Sequence, residues 1–142
     1  MNYSIQHNLA YESEYAYIAQ DEACRATTGH VGATNVNSVQ AQSVDALKAA
    51  IEAGPTSVTV EADTYVFQGY TGGILNSAAC GTNLDHAITA VGWGTDPSAG
   101  DYYIVRNSWG AGWGQQGYIN IAAVPGVGIC GIQQVSVWPN TN

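Results

Sequence analysis

The sequence predicts an α+β fold: a small antiparallel β-barrel or curled sheet with one helix packed against it. Three observations lead there. Residues 43–55 have the apolar spacing and the end signals of an amphipathic helix. Four or five short apolar or alternating runs follow, separated by turn residues at hairpin-like spacing. Seventeen glycines in 142 residues favour turns over long helices. The length suits one domain with its own core, and 46% apolar residues fit a globular chain rather than a disordered one.

The elements follow in order. Residues 2–8 can close a short helix, residues 12–17 read as an ordered loop of polar and aromatic side chains, and residues 31–39 read as extended. In the main helix Ser43 can cap the N-terminus. Ala46, Leu47, Ala50 and Ile51 form one apolar face, and Gly54-Pro55 ends it. Residues 56–61 alternate with valines at 58 and 60. Residues 87–93, 102–106 and 118–122 are short apolar runs, and residues 135–138 alternate again. Asp96-Pro97-Ser98-Ala99-Gly100 is the turn between two of these strands. There is no internal repeat and no linker.

Charge narrows the function classes. Three Lys and Arg stand against 11 Asp and Glu, a formal net charge of -8. Such a surface repels phosphate backbones and anionic membrane leaflets, which argues against nucleic acid or a membrane as partner. It suits an acidic compartment, where protonated carboxylates repel each other less. No run of about 18 apolar residues can span a bilayer. Met1-Asn2-Tyr3-Ser4 does not open a signal peptide, although a mature secreted chain would read the same way. Cys24, Cys80 and Cys130 lie in no Cys-x-x-Cys spacing, which argues against a zinc or thioredoxin-like site. Their odd number leaves one thiol free or bonded outside the chain.

Two residues can carry chemistry. His86 opens an apolar strand, where it is either a core histidine satisfied by the backbone or a catalytic base. Asn107 follows another strand, where it is either a turn former or an orienting amide. His7 and His30 lie in polar surroundings and read as surface residues. If residues 87–93 and 102–106 pair as a hairpin, its open end brings His86 to Asn107. The amide oxygen can then accept the imidazole N–H and leave the other ring nitrogen facing a nucleophile. Two tryptophans, Trp109 and Trp113, stand among the glycines just beyond. A roof such as Trp109 would keep water off the His–Asn bond.

These residues resemble a known family. Asp85-His86-Ala87-Ile88-Thr89-Ala90-Val91-Gly92-Trp93-Gly94 is similar to the histidine motif of papain-like cysteine proteases. Arg106-Asn107-Ser108-Trp109-Gly110-Ala111-Gly112-Trp113-Gly114 is similar to their asparagine motif. The stretch Glu12-Ser13-Glu14-Tyr15-Ala16-Tyr17, Gly54-Pro55 and Tyr70-Thr71-Gly72-Gly73-Ile74 resemble other family segments, with Ala16 where proline is usual. The resemblance implies a partial papain-like peptidase domain over residues 1–142. Residues 1–30 would be a remnant of the helical left-hand half, and residues 31–142 the β-rich right-hand half. It implies His86 as general base and acid, Asn107 as its orienter, Trp109 as shield and Trp113 as its packing partner. Thr59, Ala87 and Val135 would line the pocket for the second side chain before the scissile bond, each with an alternative as ordinary core. Cys80 and Cys130 would form a family disulfide. Cys24 would be either a thiol whose partner lies outside the chain or a buried small hydrophobe.

One part of the family pattern is absent. The nucleophile sits in a Cys-Gly-Ser/Ala-Cys-Trp/Tyr context upstream of the histidine, and none of the three cysteines here has it. Without a thiolate, a histidine and an asparagine form no acyl-enzyme. Three expectations stay open: a second chain or an upstream segment supplies the cysteine, the chain is a partial product, or it is a non-catalytic interaction component. The implied substrate is a peptide or protein, the implied compartment a lysosome-like vacuole or the extracellular space. No metal or organic cofactor is implied.

Overall fold

The structure is a computed structural model, which describes residues 2–25 and 29–141. Contacts divide the chain into two units, residues 1–37 with 139–142 and residues 38–138.

The second unit holds the core. Helix α2 (Val44–Ala53) starts where Ser43 accepts the N–H of Ala46 at 3.1 Å, and Asp45 sits favourably in its first turn. Leu47, Ala50 and Ile51 are buried as their spacing requires, while Ala46 is only half-buried. Gly54 ends the helix in extended backbone, the conformation a residue before proline is pushed into. Strand β2 (Thr56–Val60) buries every second residue, which places Val58 and Val60 in the core. β4 (His86–Asp96) and β5 (Gly100–Arg106) form the expected hairpin, both longer than their apolar runs. Its turn is held by the Asp96 carboxylate, which accepts the N–H groups of Ser98 and Ala99, both at 2.8 Å.

β6 (Tyr118–Ala122) pairs with β5, and the first residues of β7 (Ser136–Thr141) pair with β2. Three features were not anticipated. A short helix α3 (Tyr65–Gln68) follows β2, and a two-residue strand β3 (Ile74–Leu75) pairs with β6 in parallel, not antiparallel. Val91 bulges from β4, so the register against β5 shifts between Ala90 and Gly92. The order in this curled sheet is β7-β2-β4-β5-β6-β3. Its inner face and α2 enclose Leu47, Phe67, Tyr103, Val105, Ile119 and Ile121. The Cys80–Cys130 disulfide forms as the resemblance implied and lies fully in that core.

The first unit begins with α1 (Asn2–Gln6), shorter than the helix read from residues 2–8. Leu9 bridges to Val31, and β1 (Ala33–Ser38) runs beside the end of β7. The loop at 12–17 is ordered by its own acids. Glu14 accepts the N–H of Tyr11 at 3.2 Å, and Glu12 that of Tyr17 at 2.9 Å. His30 stacks on Tyr11 and meets the Glu14 carboxylate at 3.1 Å, and His7 is exposed beside Tyr3. No described residue of this unit is buried. Tyr3, Ile5, Leu9, Tyr11, Tyr17, Ile18 and Val31 are exposed. Cys24 is a free, exposed thiol rather than a buried small hydrophobe. Among the described residues no helix is long and apolar enough to cross a membrane.

Candidate active site

The site grows from the open end of the β4–β5 hairpin. His86 is the first residue of β4, and Thr89 pairs with Arg106, the last residue of β5. The chain leaves β5 at Asn107, whose N–H donates to Gly117 O at 2.9 Å. That bond closes the loop of residues 107–117 on itself. Gly114 is required there: a Cβ on it would meet Tyr118 O at 2.5 Å, and its φ of +59° is left-handed. The loop therefore aims two indoles back over the strands.

Asn107 is 7% exposed, and its Oδ1 lies 2.9 Å from Nε2 of the half-buried His86. The same Oδ1 accepts the N–H of Ser108 at 2.8 Å. A backbone N–H is always a donor, so the amide oxygen must face it and the amide cannot be flipped. An oxygen that only accepts then requires the proton on Nε2 of His86. The neutral ring is left with its lone pair on Nδ1, the state a general base needs. The arrangement leaves Nδ2 of Asn107 buried without a partner in the structure. His86 is thus held by a side-chain amide, not satisfied by the backbone as a core histidine would be.

The roof is aromatic. Trp109 stacks on His86 with ring centroids 5.2 Å apart and an interplanar angle of 26°. It meets Trp113 edge to face at 5.3 Å. Beneath both lies Phe67 of α3, fully buried, 5.5 Å from Trp109 and 5.2 Å from Trp113. Trp113 is also fixed by its indole N–H, which donates to Gln68 O at 3.0 Å. Trp109 itself is 41% exposed, so it covers the His–Asn pair from solvent while offering its outer face.

Thr59, Ala87 and Val135 come together on the opposite face of the sheet strands. Thr59 and Ala87 are register partners, and Thr59 donates both its N–H and its hydroxyl to Val135 O, at 3.2 and 3.0 Å. Ala87 and Val135 are exposed and Thr59 half-buried, so the three face outward rather than into the core.

Two contributors escaped the sequence reading. Phe67, the only phenylalanine, sits in a helix too short to show periodicity. Asp85 ties the start of β4 to the loop after β2, accepting the N–H groups of Ala62 at 2.7 Å and Asp63 at 3.1 Å. Its position beside His86 was the available signal. Partial desolvation, then the neighbouring Asp85 and Glu61 charges, lift the Asp63 carboxyl above its ordinary range. Among the described residues no three His, Cys, Asp or Glu side chains converge to hold a metal.

The comparisons with known proteins agree with this geometry. The family model described as papain family cysteine protease matches residues 1–140. Papaya proteinase 4 of Carica papaya is 40% identical over 147 residues, which cover 100% of this chain and 42% of that protein. Cathepsin L of Sarcophaga peregrina is 39% identical over 132 residues, covering 90% of this chain and 39% of that protein. Among solved structures, the bromelain protease from Ananas comosus in complex with the E64 inhibitor superposes with a TM-score of 0.91 at 35% identity. The match covers 98% of this chain and 66% of that one. The chain spans about two fifths of the length of these curated relatives. With the family model matching nearly every residue and the fold shared at this identity, the chain belongs to the papain family of cysteine proteases.

Proposed function

We propose that this chain is the histidine- and asparagine-bearing part of a cysteine peptidase that hydrolyses peptide bonds. The nucleophilic cysteine comes from a segment or chain outside these 142 residues. Its thiolate attacks the peptide carbonyl, His86 passes the thiol proton to the leaving amine, and Asn107 holds the ring. Trp109 keeps water from the His–Asn bond, and Trp113 packs behind it. Thr59, Ala87 and Val135 wall the pocket for the second side chain before the scissile bond, where small walls favour an aliphatic or aromatic residue. Residues 1–30 are a remnant of the helical half and residues 31–142 the β-rich half. The observation that carries the reading is the 2.9 Å contact of His86 Nε2 with Asn107 Oδ1 under the Trp109 ring.

The cysteines present support an outside source for the nucleophile. Cys80 and Cys130 are spent on each other, and Cys24 lacks the family context. By itself the chain is inactive. A buried disulfide and an acidic surface support an acidic vacuole of lysosomal type or secretion. The test is to supply a papain-family segment bearing Cys-Gly-Ser-Cys-Trp, in cis or as a second chain, and to assay a fluorogenic dipeptide substrate. Turnover that E64 blocks is expected. Turnover that His86→Ala leaves unchanged refutes the assignment.

A second reading has its own observation. The first unit buries none of its described residues and exposes seven large apolar side chains. It also opens a cavity of about 930 Å³ bordered by Tyr3, Leu9, Tyr15 and Cys24. A surface of this kind marks an interface. In this reading the protein is a non-catalytic interaction component. A stable complex in which the supplied segment binds but no peptide is cleaved would establish it.

A further inference from the structure

We propose that Tyr70 is a positioning residue for the site: its hydroxyl, acting through Gln115, fixes the loop that carries Asn107 and Trp109, and so sets how His86 is held.

The Tyr70-Thr71-Gly72-Gly73-Ile74 segment is one of the family-like stretches, yet no step assigned to His86 and Asn107 uses it. Tyr70 is only 7% exposed, and its hydroxyl makes three hydrogen bonds. It lies 2.6 Å from Gly73 O, 2.5 Å from Gln115 Nε2 and 3.2 Å from the backbone nitrogen of Asn120. The role of each partner is dictated by its chemistry. A carbonyl only accepts, so the phenolic O–H donates to Gly73. A backbone N–H only donates, so one lone pair of the hydroxyl accepts from Asn120. The other lone pair is left for the Gln115 amide, whose nitrogen also lies 3.4 Å from Gly73 O. Two oxygens would repel there, so the Gln115 amide cannot be flipped. Every donor and acceptor of the buried hydroxyl is in use.

These bonds join three segments distant in sequence: the turn after α3, the loop of residues 107–117 and β6. Among the described residues, Gln115 makes the only side-chain hydrogen bonds of residues 114–117. Its backbone passes the constraint on. Gln115 and Tyr118 exchange two backbone bonds, at 2.9 and 3.1 Å. Gly117, between them, donates to Trp113 O at 2.8 Å and accepts the Asn107 N–H at 2.9 Å. The Tyr70 ring itself lies 5.8 Å from Trp113. With the Trp113 indole on Gln68 O, the loop is clamped to the end of α3 at two places, Gln68 and Tyr70. Asn107 leaves the far end of that clamped loop, and Trp109 stacks on His86 from within it. Freeing Gln115 therefore loosens the closing residues of the loop and, through Gly117, the amide that holds the imidazole. Tyr103 provides the contrast. It is also a buried tyrosine with a bonded hydroxyl, but among the described residues its partner is Gln133, outside this loop. The effect on turnover rests on the peptidase reading; the effect on the His86 ring does not.

The experiment is nitrogen-15 NMR of the full 142-residue chain, reading the His86 ring nitrogens and the Trp109 indole N–H. Tyr70→Phe and Gln115→Met should each move both signals from their wild-type positions. The double variant should move them no further than the larger single change, because either loss breaks the same link. Tyr103→Phe should lower the urea midpoint and leave both signals in place. In the complex with the cysteine-bearing segment, Tyr70→Phe should lower kcat roughly 2- to 10-fold, the worth of one hydrogen bond, with KM within about twofold. Signals that stay in place in either Tyr70→Phe or Gln115→Met overturn the proposal. Signals moved as far by Tyr103→Phe overturn it too, since a general loosening would then explain them. If Tyr70→Phe fails to fold, Gln115→Met, at an exposed residue, decides alone. Because the ring signals are read without turnover, an inactive complex would count against the peptidase reading alone.

Discussion

Asn107→Ala tests the orientation of His86 most directly. The substitution removes one hydrogen bond to the imidazole and one to Ser108 N–H. It also removes Nδ2, a buried donor with no partner, whose desolvation opposes folding by about 1–3 kcal/mol. Two lost bonds at about 1 kcal/mol each are therefore largely offset, and the fold should lose less than about 2 kcal/mol. The ring feels more. With no acceptor under Trp109, the proton no longer has to sit on Nε2, and Nδ1 is no longer held free. A hydrogen bond to the charged imidazolium contributes about 1.5–3 kcal/mol. At about 1.4 kcal/mol per decade, its loss lowers kcat in the complex with the cysteine-bearing segment roughly 10- to 150-fold. The assay has two parts: nitrogen-15 NMR of His86 in the chain alone, which reports the tautomer, and kcat in the complex. A kcat within about twofold of wild type, with the His86 nitrogen-15 shifts unchanged, would show that Asn107 does not orient His86.

Four further outcomes follow. Phe67→Ala should cost about 3–5 kcal/mol in urea unfolding, since a fully buried ring supporting two indoles is removed. Tyr103→Phe should cost about 1–3 kcal/mol, because it strands Oε1 of the buried Gln133, which accepts the Tyr103 hydroxyl at 2.7 Å. The Tyr103 hydroxyl itself is pushed above the usual phenol range, first by burial and then by Asp45 and Asp101, so it stays a neutral donor in the wild type. Replacing Cys80 and Cys130 by serine opens a loop with a sequence separation of 50, which should cost about 4 kcal/mol by loop entropy, read as a lower urea midpoint. Asp101 is held below the ordinary carboxylate range, first by the Lys48 ammonium and then by the Thr95 hydroxyl. Its contribution is therefore present above the ordinary aspartate value and lost as pH falls through the lowered one. Lys48→Met should flatten that part of the stability–pH profile; an unchanged acid limb would refute the assignment.

Much of the site was legible because its signals are local. A histidine and an asparagine 21 residues apart read as a hairpin's open end, since strands on both sides have apolar runs and a turn rich in Asp, Pro and Gly lies between. Helix α2 was legible for the same reason: cap, face and stop all lie within a dozen residues. The short α3 was not, because four residues show no period, nor was the parallel β3–β6 contact, which depends on residues far apart in the chain. The bulge at Val91 left no mark in an apolar run, yet it reverses which residues face inward beyond it.

The sequence by itself determined the main helix, most of the strands and the hairpin whose open end holds His86 and Asn107, which rest on residue type and spacing. The partners Cys80 and Cys130 came from the family resemblance that its motifs carry. Only the tertiary structure decided the tautomer of His86, through Ser108 N–H turning the Asn107 amide. It also decided the floor of Phe67 beneath the two indoles, and the tie from the Asp85 carboxylate to the backbone of the loop after β2. Each of these depends on direction: which way a donor points, which face a ring presents. Direction is set by packing between segments distant in sequence, and no local pattern records it.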